Sequence, residues 1–194
     1  MAGNRSNGIV IGIVDDLRDP EGLGRVRVRY PHLGNQLSDW ARLAMPMAGN
    51  GRGTYFRPEK GDEVLMAFEH GDPRRPNVLG ALWSQADPPP EDDGQAVQNN
   101  WRFIQSRSGH IILLDDTDGQ EKIELIDKDG QRRVKIDSAN GKIEVTCTQG
   151  NVEVSAAAGE VKVEALTVLV EAENSLTLRC NGPTTIKGNP VAIN

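Results

Sequence analysis

Cysteine and aromatic residues are both scarce in this chain of 194 residues, and their scarcity narrows the possibilities first. Two cysteines, Cys147 and Cys180, provide no disulfide framework and fit no metal-ligand spacing. Phe, Trp and Tyr together make up 4% of the chain, so a core built on large rings is excluded and an aliphatic, strand-based one must replace it. No apolar run approaches the ~20 residues of a membrane-spanning helix. The opening MAGNRSNGIV lacks the apolar stretch of a secretory signal, so the chain is expected to be made and folded in the cytoplasm without a signal peptide unless some other apparatus exports it. Positive charge is in deficit as well: 22 Lys and Arg against 28 Asp and Glu leave a formal charge of −6, the wrong sign for coating phosphate backbones.

Chemistry-bearing constellations are equally thin. The acid pairs Asp15-Asp16, Asp92-Asp93 and Asp115-Asp116 are adjacent residues, which on a strand point to opposite faces and do not converge. His32, His70 and His110 form no His-x-His pair. The glycine-rich GNGRG at 49–53 has no following Lys-Ser/Thr and therefore no phosphate-loop chemistry. No catalytic residue, no metal site and no cofactor is expected, and the chain reads as a non-enzyme.

What the sequence does contain is alternation. GIVIGIV places Ile9, Ile11 and Ile13 on one face and Val10 and Val14 on the other. GRVRVRYP directs Val26, Val28 and Tyr30 inward and Arg25, Arg27 and Arg29 outward. SDWARLAMP, GDEVLMAFEHGD (Val64, Met66 and Phe68 on one face) and PNVLGALWS complete five short strands. Period-two patterning with turn residues every 8–15 positions predicts a small antiparallel OB-like barrel over residues 1–84. The arginine stripe raises nucleic-acid binding, but residues 1–86 carry only 11 basic against 10 acidic side chains and few strand-borne aromatics for stacking. A solvated face or an acidic protein neighbour is the expected role.

The break at SQADPPPEDDGQ, residues 84–95, sets three consecutive prolines before three acids and reads as a linker, assigned to 85–100. Beyond it the charge falls to 11 basic against 18 acidic. Apolar residues recur in i, i+2 sets: Ile123/Leu125, Val134/Ile136, Ile143/Val145/Cys147, Val152/Val154, Val161/Val163, Val168/Val170, Leu176/Leu178/Cys180, Ile186 and Val191/Ile193. From residue 134 the sets start every seven to nine positions. That periodicity predicts a β-helix over 101–194. One copy would leave rows of Val and Ile in water with open strand edges, whereas three interwound copies bury every row. An intertwined homotrimer is expected, with Ile143, Val145, Cys147, Val152, Val154, Val161, Val163, Leu176, Leu178 and Cys180 facing its axis.

The first segment also resembles a known family. GLGRVRVRYPHLG, followed by WARLAMPMAGNGRGTYFRPEKGDEVLMAFEHGDPRRPNVLGALW, is similar to the OB domain of contractile-injection-system spikes: phage baseplate assembly protein V, the central spike of phage-tail-like particles and the valine-glycine-repeat spikes of type VI secretion. The resemblance implies an all-β fold, an OB barrel followed by a trimeric β-helical needle. The implied function is a homotrimeric spike that pierces or deforms a target envelope within a phage-tail-like baseplate particle. It implies a baseplate hub at the N-terminal side and a separate PAAR-type tip seated on Pro190, Val191, Ala192, Ile193 and Asn194. Nucleic acid is not an expected partner, and membrane is met only as the target. Two other readings are a trimeric surface-binding adhesin and an OB-fold nucleic-acid binder. An adhesin would be expected to display outward aromatic platforms, and residues 111–194 contain no Phe, Trp or Tyr.

Overall fold

The computed structural model describes residues 8–95 and 97–192. Among them there is no α-helix; the molecule is built of strands, turns and two single-turn 3-10 segments, Pro31–Leu33 and Glu69–Gly71.

The first eight strands are β1 (Val10–Asp16), β2 (Arg27–Tyr30), β3 (Gln36–Leu37), β4 (Arg42–Leu43), β5 (Ala48–Gly49), β6 (Arg52–Gly53), β7 (Glu63–Phe68) and β8 (Pro76–Leu82). Six of them form one sheet in the order β3-β2-β1-β7-β8-β4, antiparallel throughout except for the β4–β8 pair. A single bridge between Val26 and Ala41 joins the β2 and β4 ends and curls the sheet toward closure. Inside lie Val14, Val26, Val28, Tyr30, Ala41, Val64, Met66 and Val78; of these the period-two pattern assigned Val26, Val28 and Tyr30 inward and grouped Val64 with Met66 on one face. Gly12 shares that face, and a Cβ there would overlap Cγ1 of buried Val28. Glycine at this position lets β1 and β2 approach. The turn pairs Gly61-Asp62 and Gly71-Asp72 are explained by positive φ at both glycines, +104° and +75°. SDWARLAMP contributes only the two-residue β4, and GNGRG folds into the β5–β6 hairpin, a small separate ribbon.

Five further strands follow the linker: β9 (Trp101–Gln105), β10 (Ile111–Asp115), β11 (Lys122–Ile126), β12 (Arg132–Asp137) and β13 (Lys142–Cys147). They pair antiparallel in sequence order, a meander closed within one chain. The all-β character expected of this part holds, and over 101–147 it takes the form of an antiparallel meander. Turns such as the one at Gly130 (φ +72°) return the chain on itself after each strand, so the ladders of 101–147 close locally. From residue 148 the chain changes character. No strand is assigned over 148–192, and within 149–192 the single backbone hydrogen bond runs from Gly159 N–H to the Ala156 carbonyl. One exposed ion pair, Arg107 to Glu59 at 2.7 Å, connects the β9–β10 turn to the loop before β7.

Candidate functional site

The meander is a sheet whose apolar face looks outward. Cross-strand register aligns two rows on that face: Leu114, Ile123, Ile136 and Ile143 in one, Ile104, Ile112, Leu125, Val134 and Val145 in the other. All nine are 37–72% exposed. The opposite face carries alternating charge. Asp115, Lys122, Asp137 and Lys142 align in one row and Glu124, Lys135 and Glu144 in the next, so each residue stands across from an opposite sign. Lys122 meets Asp115 at 3.2 Å, Arg133 meets Glu124 at 3.2 Å and Lys135 meets Asp137 at 2.7 Å. These three carboxylates are buried while the aliphatic rows are not.

Electrostatics on the charged face follow from this arrangement. Burial alone would raise the Asp115 carboxyl, but hydrogen bonds from the Thr117 hydroxyl and N–H, together with Lys122, outweigh it and hold it below the ordinary value. The Lys135 ammonium does the same for Asp137, and Lys142 for Glu144. The adjacent acids Asp115 and Asp116 diverge as expected: Asp116 pairs with Arg102 at 2.6 Å on the other side. The acids on this face are structural partners of cations, and among the described residues no cluster of three or more His, Cys, Asp or Glu is placed to hold a metal ion.

Residues assigned to a trimer axis fall as follows. Ile143 and Val145 stand on the uncovered apolar face of β13. Cys147 lies in register with Arg132 at the end of that face and donates its S–H to the Gln149 carbonyl at 3.3 Å. Val152, Val154, Val161, Val163, Leu176, Leu178 and Cys180 are all exposed along a segment with no ladder partner. Pro190, Val191 and Ala192 are exposed as well, and Ile193 and Asn194 lie outside the described residues. Sequence reasoning missed Ile104, Ile112 and Leu114 as members of the face. The signal of Ile112 and Leu114 is masked in the run IILLD, where the buried Leu113 fills the alternate position with another aliphatic side chain, and Ile104 stands in WRFIQ next to Phe103.

In the barrel, all three stripe arginines are held by close neighbours, Arg29 by donating to the Asn35 side-chain oxygen at 3.2 Å. Arg25 makes a forked contact with Asp19, its Nη2 lying 2.7 Å from Oδ1, and Asp19 also accepts the backbone N–H groups of Glu21, Leu23 and Arg25. The Arg25 guanidinium holds the Asp19 carboxyl far below the ordinary carboxylate range. Arg27 lies over the Trp40 ring and donates to the Ser38 carbonyl.

These features can be set beside known proteins. Residues 10–83 match the type VI secretion system/phage-baseplate injector OB domain. The chain is 34% identical over 109 residues to the type VI secretion system spike protein VgrG4b of Pseudomonas aeruginosa, covering 52% of this chain and 14% of that protein. It is 29% identical over 111 residues to VgrG1a of the same species, covering 52% of this chain and 17% of that one. Residues 10–83 therefore carry the injector OB domain, and the rest of the chain lies outside that match. The chain spans less than a fifth of the length of these spike relatives. A further relative, the actin cross-linking toxin VgrG1 of Vibrio cholerae, is 33% identical over 72 residues, 34% of this chain and 7% of that protein. Within the family match lie all the buried barrel residues and both Gly-Asp turns, while the meander of 101–147 lies beyond it.

Proposed function

We propose that this chain is the homotrimeric central spike of a phage-tail-like contractile injection particle, with a barrel (1–84), a linker (85–100) and a needle (101–194). The observation that carries the reading is the needle region's unmet demand. Nine aliphatics on one sheet face are exposed, and the 45 residues from 148 to 192 form no ladder within one chain. Burying a Val or Ile stabilises by about 1.5–3 kcal/mol, and an unpaired strand seeks backbone partners. Two further copies answer both needs, with apolar faces turned to a common axis and the charged faces to solvent. A hydrogen-bonded rod of this kind transmits force from contraction to a target envelope. The role is mechanical and non-enzymatic. The barrels seat on a baseplate hub, and residues 190–194 receive a PAAR-type tip. The chain is incorporated from the bacterial cytoplasm into the particle; no helix in the structure is long and apolar enough to cross a membrane.

A parity pair tests the reading. Val163→Asp brings three carboxylates to the axis, where unpaired buried charge is strongly unfavourable, and is expected to abolish trimers. Lys162→Asp loses only the exposed pair with Glu164 and is expected to leave them intact. Equal behaviour of the two variants in size-exclusion chromatography contradicts the inward and outward assignment.

A further inference from the structure

A cleft of about 800 Å³ runs along the flank of the barrel beside β4. Its floor is Trp40, Leu43, Met45 and Met47, and the exposed Tyr55 ring lies against Gly24 at its edge. Five arginines line it: Arg25 and Arg74 are already paired with Asp19 and Asp72, and Arg42, Arg52 and Arg75 stand at its rim. Arg42 and Arg75 share one carboxylate, Glu69, at 3.6 and 3.7 Å, and Arg52 makes no ion pair among the described residues. Three guanidiniums against one carboxylate leave an excess of positive charge, in a chain whose net charge is −6.

The same chain holds a segment of matching chemistry. In Asp87–Asp93, DPPPEDD, three consecutive prolines favour an extended polyproline helix, and Glu91, Asp92 and Asp93 make no ion pair among the described residues. The prolines are exposed, and no linker residue lines the cleft of its own barrel. Proline-rich helices dock on grooves lined by Trp and Tyr, losing little entropy because they are already extended. From Asp87 to Asp93, beyond the bend in which the Ser84 N–H donates to the Asp87 carbonyl, such a helix reaches roughly 19 Å at ~3.1 Å per residue.

We propose that the cleft is the docking site for the Pro88–Asp93 linker of a second copy. The prolines lie against Trp40 and Tyr55, and the three acids meet Arg42, Arg52 and Arg75. Barrel and linker then form a ring around the needle base, and the charge asymmetry between the two halves of the chain becomes an assembly contact. The inference rests on the trimer proposed above. Nucleic acid is disfavoured as the occupant because residues 1–86 carry only 11 basic against 10 acidic side chains in a chain of net charge −6.

The test uses full-length chain carrying Cys147→Ser and Cys180→Ser, with Arg52→Cys and Asp92→Cys added. The control replaces Arg52→Cys by Arg18→Cys, which is highly exposed and outside the cleft. Mass is measured under reducing conditions, and disulfides are read on non-reducing gels after mild oxidation. Both variants are tethered within one assembly, so any excess reads docking alone, and interchain product at least about tenfold above the control is expected. A trimer with no excess over the control, or with an intrachain bond instead, overturns the docking while leaving the trimer in place. A monomeric mass removes the trimer and the inference with it. A dT20 oligonucleotide that binds the native chain, and ceases to bind on Arg52→Glu with Arg75→Glu, assigns the cleft to nucleic acid and likewise overturns the proposal.

Discussion

Single residues decide whether the barrel closes. Gly12 sits where any Cβ overlaps Cγ1 of buried Val28, a β-branched side chain with no free direction to move. Gly12→Ala is therefore expected to destabilise the barrel by about 1–3 kcal/mol, read as a lower thermal midpoint. The loop before β2 hangs on Asp19, whose side chain is 3% exposed and which takes both the Arg25 fork and three backbone N–H groups. Its carboxyl is held below the ordinary value, so its contribution is complete above about pH 4, near the unfolded-state value, and fades as pH falls further. Thermal melts of the native chain should lose stability on acidification below pH 4. Asp19→Asn, uncharged throughout, should start less stable at pH 7 and show a flatter profile over the acid range. A native profile no steeper than the variant's removes Asp19 from the account.

At the scale of elements, the strand faces were legible and the ladders were not. Alternation assigned Val26, Val28 and Tyr30, and Val64 with Met66, to the barrel interior, and the structure buries them. It also grouped Ile123 with Leu125, Val134 with Ile136 and Ile143 with Val145, which do share a face. Period two reports which residues share a face, not which strand pairs with which, so the local meander of β9–β13 was hidden in a pattern that fits a helical winding equally well. β5 and β6 are two residues each, too short to alternate. Three buried carboxylates on the charged face were invisible because each looks like an ordinary solvated acid until its cross-strand cation is placed. The C-terminal element carries its own prediction. Val191 is half exposed on backbone with no strand partner, an edge that another protein can extend. Deleting residues 190–194 is expected to abolish capture of a PAAR-type protein in a pull-down while the assembly keeps its size. Undiminished capture places the tip elsewhere, and loss of the assembly makes these residues needle core.

Over residues 101–147 the single chain buries three acids and leaves nine aliphatics exposed, then runs on without ladders to residue 192. Residues 10–83 carry the injector OB domain, and the exposed face and ladderless segment beyond it are what the proposed trimer covers. The most direct measurement is the absolute mass of the purified full-length chain by light scattering coupled to size-exclusion chromatography. Three copies of 21.1 kDa predict a single species of about 63 kDa that does not dissociate on dilution. A stable, folded species of 21.1 kDa contradicts the account.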